Sequence, residues 1–208
     1  MLVATSTQSS ETAADAPATL AAQVMEQTSP RLFTVDEFHR MLEAGVFGDD
    51  ERLELLEGVI VALTSQNPPH ASAIQRLTKW FVRQLDDSLA LMPQLPVTLG
   101  ERTEPVPDLA IVRAEDISRK TLPRTALLVI EVADTSLRKD RGVKSAIYAR
   151  YGIAEYWIVD GKAMTVEVYR EPDSEAGRYR TMVTVGRDAT LSPTNVPGVA
   201  IPLAELFA

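Results

Sequence analysis

Three acidic side chains stand inside apolar, strand-like segments. Glu131 lies in the run Leu127 to Val132, Asp108 opens the run Asp108 to Val112 behind Pro105-Val-Pro107, and Glu54 lies within Arg52 to Leu56. A carboxylate in such surroundings is costly unless it is paired, protonated or bound to a cation. For Glu131 the competing reading is a strand-end residue satisfied by an arginine or by backbone amides, and for Glu54 an edge-strand residue facing water. Asp108 and Glu131, brought together on paired strands, would make a hard oxygen site suited to Mg²⁺ or Mn²⁺, which bind through few carboxylates and keep several waters. Such an ion polarises a phosphodiester oxygen, orients a water and stabilises the leaving oxygen. A nearby lysine would offset charge on the phosphate or, with a lowered pKa, help to activate the water.

The elements that must position these groups follow from periodicity. At strand period Leu127, Val129, Glu131 and Ala133 share one face and Leu128, Ile130 and Val132 the other, so a central strand covered on both sides is expected. Asp108 shares a face with Ala110 and Val112. The polar connection 113 to 125 lets strand 108 to 112 pair antiparallel with 126 to 133, which would bring the two acids together. Lys139 to Tyr151 reads as a helix, with Thr135 or Ser136 as N-cap and Gly152 just past its end. Along it Asp140 and Lys144 lie one turn apart, as do Lys144 and Tyr148. Glu155 to Asp160 supplies a strand after it, and strand, helix, strand makes a parallel crossover.

Around this centre, Thr34 to Glu37 has the spacing of a capping box, opening a helix that turns Val35, Phe38, Met41 and Leu42 inward and stops at Gly45. Arg52 to Leu56 and Gly58 to Leu63 form a hairpin about Glu57-Gly58. After the Asn67-Pro-Pro69 breaker, His70 to Leu89 reads as a helix with Ile74, Leu77, Phe81 and Leu85 facing the core. His70 opens that helix, as a cap, a surface residue or a neighbour of the site. Leu95 to Gly100 is a weak strand. A hairpin across Asp160-Gly-Lys162 leads to strand 165 to 170, strand 179 to 185 follows, and 196 to 207 closes the chain with a strand and a helical turn.

The chain has 208 residues, 45% of them hydrophobic and 24% charged, the composition of one ordinary globular domain. Residues 1 to 30, rich in Ala, Thr, Ser and Gln, read as a disordered or mobile tail with a short helix near Ala18 to Gln27. No apolar run approaches the roughly 18 residues of a membrane span, and no basic segment precedes an apolar one as in a secretory signal. Without cysteine there is no disulfide or thiolate metal site, and a cytoplasmic protein is expected. The net charge of −8 argues against nucleic-acid binding by bulk charge. Residues 113 to 150 carry nine Lys or Arg against five Asp or Glu, a net of +4, which leaves −12 on the remainder. The positive charge therefore flanks Glu131.

In the order RLELLEG (52 to 58), PPH (68 to 70), PD (107 to 108), VIEV (129 to 132), DRGVK (140 to 144) and YARYGIAEYWIVD (148 to 160), the chain resembles the Uma2 family (DUF820) of restriction-endonuclease-like proteins, within the PD-(D/E)xK nuclease superfamily. The resemblance covers roughly Phe33 to Phe207. It implies that Asp108 is the PD aspartate, Glu131 the (D/E)xK acid and Glu54 the acid of the family's hairpin. Ala133 stands where the superfamily pattern has lysine. The resemblance places the basic group in the following helix, at Lys144 with Asp140 one turn earlier, and Lys139 is the second candidate. Against this stands a solvated Asp140 to Lys144 surface pair.

The expected architecture is α/β: a restriction-endonuclease-like core with a mixed central β-sheet flanked by helices, and an added N-terminal helix and hairpin over residues 31 to 208. Asp108, Glu131, Lys144 and Glu54 are the candidate catalytic residues, Asp108 and Glu131 the metal ligands, and His70, Asp140 and Lys139 their neighbours. The expected activity is Mg²⁺- or Mn²⁺-dependent hydrolysis of DNA, with nucleic acid as partner, a homodimer where both strands are cut, and no membrane. Its rivals are a catalytically silent fold that binds nucleic acid or protein, and a hydrolase of smaller phosphate esters.

Overall fold

The computed structural model describes residues 27–63 and 66–208. The tail and its expected helix lie almost wholly outside the described residues. A compact unit spans Leu32–Ala208.

At its centre is β5 (Leu128–Ala133), whose six residues are all buried. It pairs antiparallel with β4 (Leu109–Arg113) and parallel with β6 (Glu155–Asp160). Outward from β4 lies β3 (Leu89–Pro93), antiparallel, and outward from β6 lie β7 (Thr165–Asp173) and β8 (Arg178–Gly186), both antiparallel. The mixed sheet therefore runs β3-β4-β5-β6-β7-β8. The two apolar faces of β5 are covered by different layers. Leu128, Ile130 and Val132 pack with Leu109 and Ile111 against Ile74, Leu77 and Phe81 of α2 (Pro68–Gln84). Val129 and Ala133 pack with Ala110, Val112, Tyr156 and Ile158 against Ile147 and Tyr148 of the opposite helix. Glu131 and Asp108 belong by alternation to this second face.

That opposite helix is continuous but not uniform. A turn of α3 (Leu137–Lys139) passes into a π-helical stretch, Asp140–Lys144, and then into α4 (Ser145–Arg150). The Ser145 N–H reaches back to the Asp140 carbonyl, five residues earlier. Wide turns of this kind recur at functional sites. The helix begins two residues before the expected Lys139 and ends as expected, with Gly152 at φ +72°.

The capping box forms at α1 (Val35–Glu43), where the Glu37 N–H donates to Thr34 Oγ1 at 3.2 Å and the Thr34 N–H to Glu37 Oε2 at 3.0 Å. Val35 and Phe38 are buried as expected, but Leu42 is 45% exposed. The hairpin of β1 (Leu53–Leu56) and β2 (Val59–Ala62) turns at Glu57 and Gly58, both at positive φ. A Cβ on Gly58 would fall 2.6 Å from Leu32 Cβ, so the turn requires glycine. Val35, Phe38 and Leu55 make a separate small core between α1 and this hairpin.

Three expectations change. The second helix stops at Gln84, not Leu89, because Asp86 turns the chain by accepting from the Ser88 N–H at 2.8 Å, and Leu89 enters β3 instead. Residues 95 to 100 are not a strand: Val97, Thr98 and Leu99 donate to Pro105, Pro123 and Thr103 in loops. Pro68 and Pro69 do not break the chain but open α2, at the first positions where no backbone donor is missed. A two-stranded ribbon of β9 (Thr190–Leu191) and β10 (Ile201–Pro202), with α5 (Leu203–Leu206), closes the α2 side.

Candidate active site

The β4–β5 register pairs Leu109 with Ile130. One step further along the two strands, Asp108 stands opposite Glu131, and both line one cleft with His70, Lys139, Asp140 and Lys144. Asp108 is fixed from two sides: its Oδ2 accepts from the Val132 N–H at 2.8 Å and lies 3.0 Å from His70 Nε2. The His70 N–H is itself held by the Asn67 side chain, the N-cap of α2. Bonding to Asp108 raises the His70 pKa against the opposing effect of burial.

Glu131 Oε1 accepts from Lys144 Nζ and from the Tyr148 hydroxyl, each at 2.8 Å. Lys144 Nζ also lies 3.1 Å from Glu54 Oε2. Glu54 is fully buried and accepts further from the Val106 N–H and, through Oε1, from Lys139 Nζ at 3.2 Å. The water-facing reading of Glu54 is therefore wrong: the β1–β2 hairpin folds over the sheet, and β1 turns this side chain toward Lys144. The surface-pair reading of Asp140 and Lys144 fails likewise, since both are buried. Asp140 instead takes the Ser136 hydroxyl at 2.5 Å. Lys139, the second lysine, reaches Glu54.

Burial pushes the Glu131 carboxyl up to about 8, against the pull of the Lys144 ammonium and with a further push from Asp108, Asp140 and Glu54. Burial likewise raises Asp140, opposed by the Ser136 hydrogen bond. For Lys144 burial alone would favour the neutral amine, but Glu131, Glu54 and Asp140 outweigh it and hold the ammonium above its ordinary value. Glu54 and Glu131 share Lys144, Lys139 adds to Glu54, and Asp108 and Asp140 line the same cleft, a gathering of carboxylates whose mutual repulsion a cation or a proton relieves.

Among the described residues none donates to Asp108 Oδ1 or Glu131 Oε2, though the second oxygen of each carboxylate is hydrogen-bonded. No three Asp, Glu or His side chains converge as a complete ligand set among the described residues. Two open carboxylate oxygens at a cleft fit a hard divalent ion that keeps much of its water.

Sequence reasoning missed several supporting groups. Tyr148 is signalled only by its spacing one turn after Lys144. Ser136 stands at the N-cap position as expected, but its hydroxyl makes no capping bond and donates to Asp140, and the Val106 and Val132 amides are invisible to residue type. Beneath the site the Tyr148 and Tyr156 rings pack with centroids 4.9 Å apart, which keeps Glu131 out of water on that side.

The chain matches the Uma2 family, described as "Putative restriction endonuclease", over residues 35–204. It belongs to the Uma2 family. The crystal structure of "a putative nuclease belonging to DUF820" from Anabaena variabilis ATCC 29413 is similar to this Uma2 chain with a TM-score of 0.65 at 18% identity, covering 84% of this chain and 97% of that one. At that identity the likeness establishes the shared fold. The type IIG restriction endonuclease BpuSI overlaps 51% of this chain and 11% of its own, with a TM-score of 0.31 and 12% identity, and nothing further rests on it. No curated protein matches the chain. No helix among the described residues is long and apolar enough to cross a membrane.

Proposed function

We propose that this Uma2 chain is a divalent-metal-dependent endonuclease that hydrolyses phosphodiester bonds in DNA. The observation that carries the reading is the placement of Asp108, one residue before β4, across from Glu131 of β5, both lining one cleft and each with one oxygen that takes no hydrogen bond among the described residues, beside a lysine buried in the same site. Mg²⁺ or Mn²⁺ held by these two carboxylates would supply Lewis-acid polarisation of a phosphoryl oxygen and a water activated at neutral pH.

The chain's own groups divide the remaining work. The Val132 amide and His70 fix the Asp108 carboxylate, while Tyr148 and Lys144 fix Glu131. Lys144 is kept charged by Glu131, Glu54 and Asp140, which favours the electrostatic role for it over that of a base. A preorganised ammonium at a dry site offsets charge that develops on a phosphate. Glu54 positions Lys144, and Lys139 positions Glu54. A single site of this kind cuts one strand, so cutting both strands of a duplex calls on two copies.

A catalytically silent reading is favoured by one observation: Lys144, Lys139 and His70 all find carboxylate partners within the chain, so the cluster closes without a ligand. Incubating several forms of DNA with Mg²⁺ or Mn²⁺, beside an Asp108→Ala control, separates the two.

A further inference from the structure

Three of the basic side chains that line the acidic cleft are held by carboxylates: His70 by Asp108, Lys139 by Glu54, and Lys144 by Glu54 and Glu131. Arg52 lines the same cleft and differs from all of them. It is exposed, and its guanidinium makes no ion pair or hydrogen bond among the described residues. Its backbone is nevertheless fixed. Arg52 stands just before β1, and the Leu63 N–H donates to its carbonyl at 2.8 Å, which carries the hairpin ladder one residue beyond the Leu53–Ala62 pair. By strand alternation its side chain leaves the hairpin on the same face as that of Glu54, with the two Cα atoms two strand steps apart, roughly 6.4–6.8 Å. Glu54 is out of water against Lys139 and Lys144, whereas Arg52 meets solvent at the cleft. An arginine among carboxylates that pairs with none of them keeps its whole planar fork of N–H donors for a ligand, and that fork matches the oxygens of a phosphate.

We infer that Arg52 binds the phosphate adjoining the scissile one, so that the site takes a polynucleotide and not a small phosphate ester. The inference rests on the nuclease reading, in which the scissile phosphate is taken at Asp108 and Glu131 and its charge is offset by Lys144. Lys144 already serves that phosphate. Arg52, which reaches none of the cleft's carboxylates, is left for the next phosphate along the strand. Such a contact touches backbone and no base, so it fixes where the chain lies over the carboxylates without reading its sequence. It is made equally before and during the reaction and therefore contributes to binding, not to the chemical step.

The test has two arms. In the first, binding of a short DNA duplex is measured without divalent ions across about 50 to 200 mM salt, where each phosphate contact contributes about 0.9 to the slope of log affinity against log salt. Arg52→Gln should lower that slope by about 0.9 and weaken binding alike for two unrelated sequences, while Arg52→Lys keeps the charge and the slope. Arg119 is an exposed arginine without a partner among the described residues, in the connection at the far end of β4 and β5, and Arg119→Gln should leave the slope unchanged. All three variants should melt close to wild type. An unchanged slope in Arg52→Gln, equal losses in Arg52→Gln and Arg119→Gln, or no wild-type binding at the lowest salt would overturn the inference. In the second arm, cleavage with Mg²⁺ is followed on the duplex and on bis-para-nitrophenyl phosphate, a diester with a single phosphate. Arg52→Gln should raise KM severalfold on the duplex with kcat little changed, and act on the single-phosphate diester like wild type. An equal loss on both substrates would place Arg52 at the scissile phosphate and overturn the adjoining one. If Asp108→Ala cuts DNA like wild type, the nuclease reading fails, and the salt slope still decides whether Arg52 holds a phosphate.

Discussion

Lys144 Nζ stands 2.8 Å from Glu131 Oε1, both groups almost wholly out of water. The two residues are 13 positions apart, and the helix that follows β5 folds back to bring them together. The lysine absent at Ala133 thus has a counterpart at the same carboxylate.

Lys144→Met should destabilise the protein by about 3–5 kcal/mol, because removing one partner of a buried pair strands the others. Burial thus makes the change costly to the fold as well as to any chemistry. Urea unfolding of the variant checks this, and a loss under about 1 kcal/mol, the range of exposed pairs, would contradict the buried geometry.

The raised Glu131 pKa gives stability a definite pH dependence without divalent ions. Glu131 holds a proton in the folded chain up to about 8 but releases it near 4.5 when unfolded. Its contribution is therefore complete below about 4.5 and is lost as pH rises through about 8. Melting temperature should fall across that window in wild type, and Glu131→Gln should flatten the fall. An equal slope in both proteins would count against the assignment.

Glycine substitutions separate the helix from the hairpin. Gly142 lies in the π-helical stretch with nothing within 4 Å of an added Cβ, so Gly142→Ala should stabilise by about 0.4–1 kcal/mol. Gly58→Ala should destabilise, since φ is +83° and the new Cβ meets Leu32. Thermal melts of the two variants should move in opposite directions.

Metal binding predicts a stability shift that follows Asp108. Mg²⁺ or Mn²⁺ should raise the melting temperature of wild type by mass action and leave Asp108→Asn nearly unmoved. Equal shifts would place the ion elsewhere.

Much of this arrangement was readable in the sequence because β4, β5 and β6 are largely apolar runs of strand length, so the acids interrupting or preceding them stand out. The pairing of β4 with β5 then followed from chain order, which placed Asp108 opposite Glu131. Glu54 and Lys144 were harder. Each lies on a short amphipathic element whose polar face could meet water or another layer, and only the hairpin folding over the sheet decides it. β3 was hidden because Leu85 and Leu89 continue the apolar spacing of α2 past its true end at Gln84. The π-helical stretch leaves no periodic mark over five residues, and Ser136 has the residue type of a cap whatever its hydroxyl bonds.

The most direct test of the central claim is single-turnover cleavage of DNA with Mg²⁺ or Mn²⁺ by wild type and Asp108→Ala purified identically. The account predicts metal-dependent cleavage by wild type and a loss of at least about 10²-fold in the variant, on the scale of removing one transition-state contact. Cleavage by both at the same rate, or by neither under conditions where both bind DNA, would contradict it.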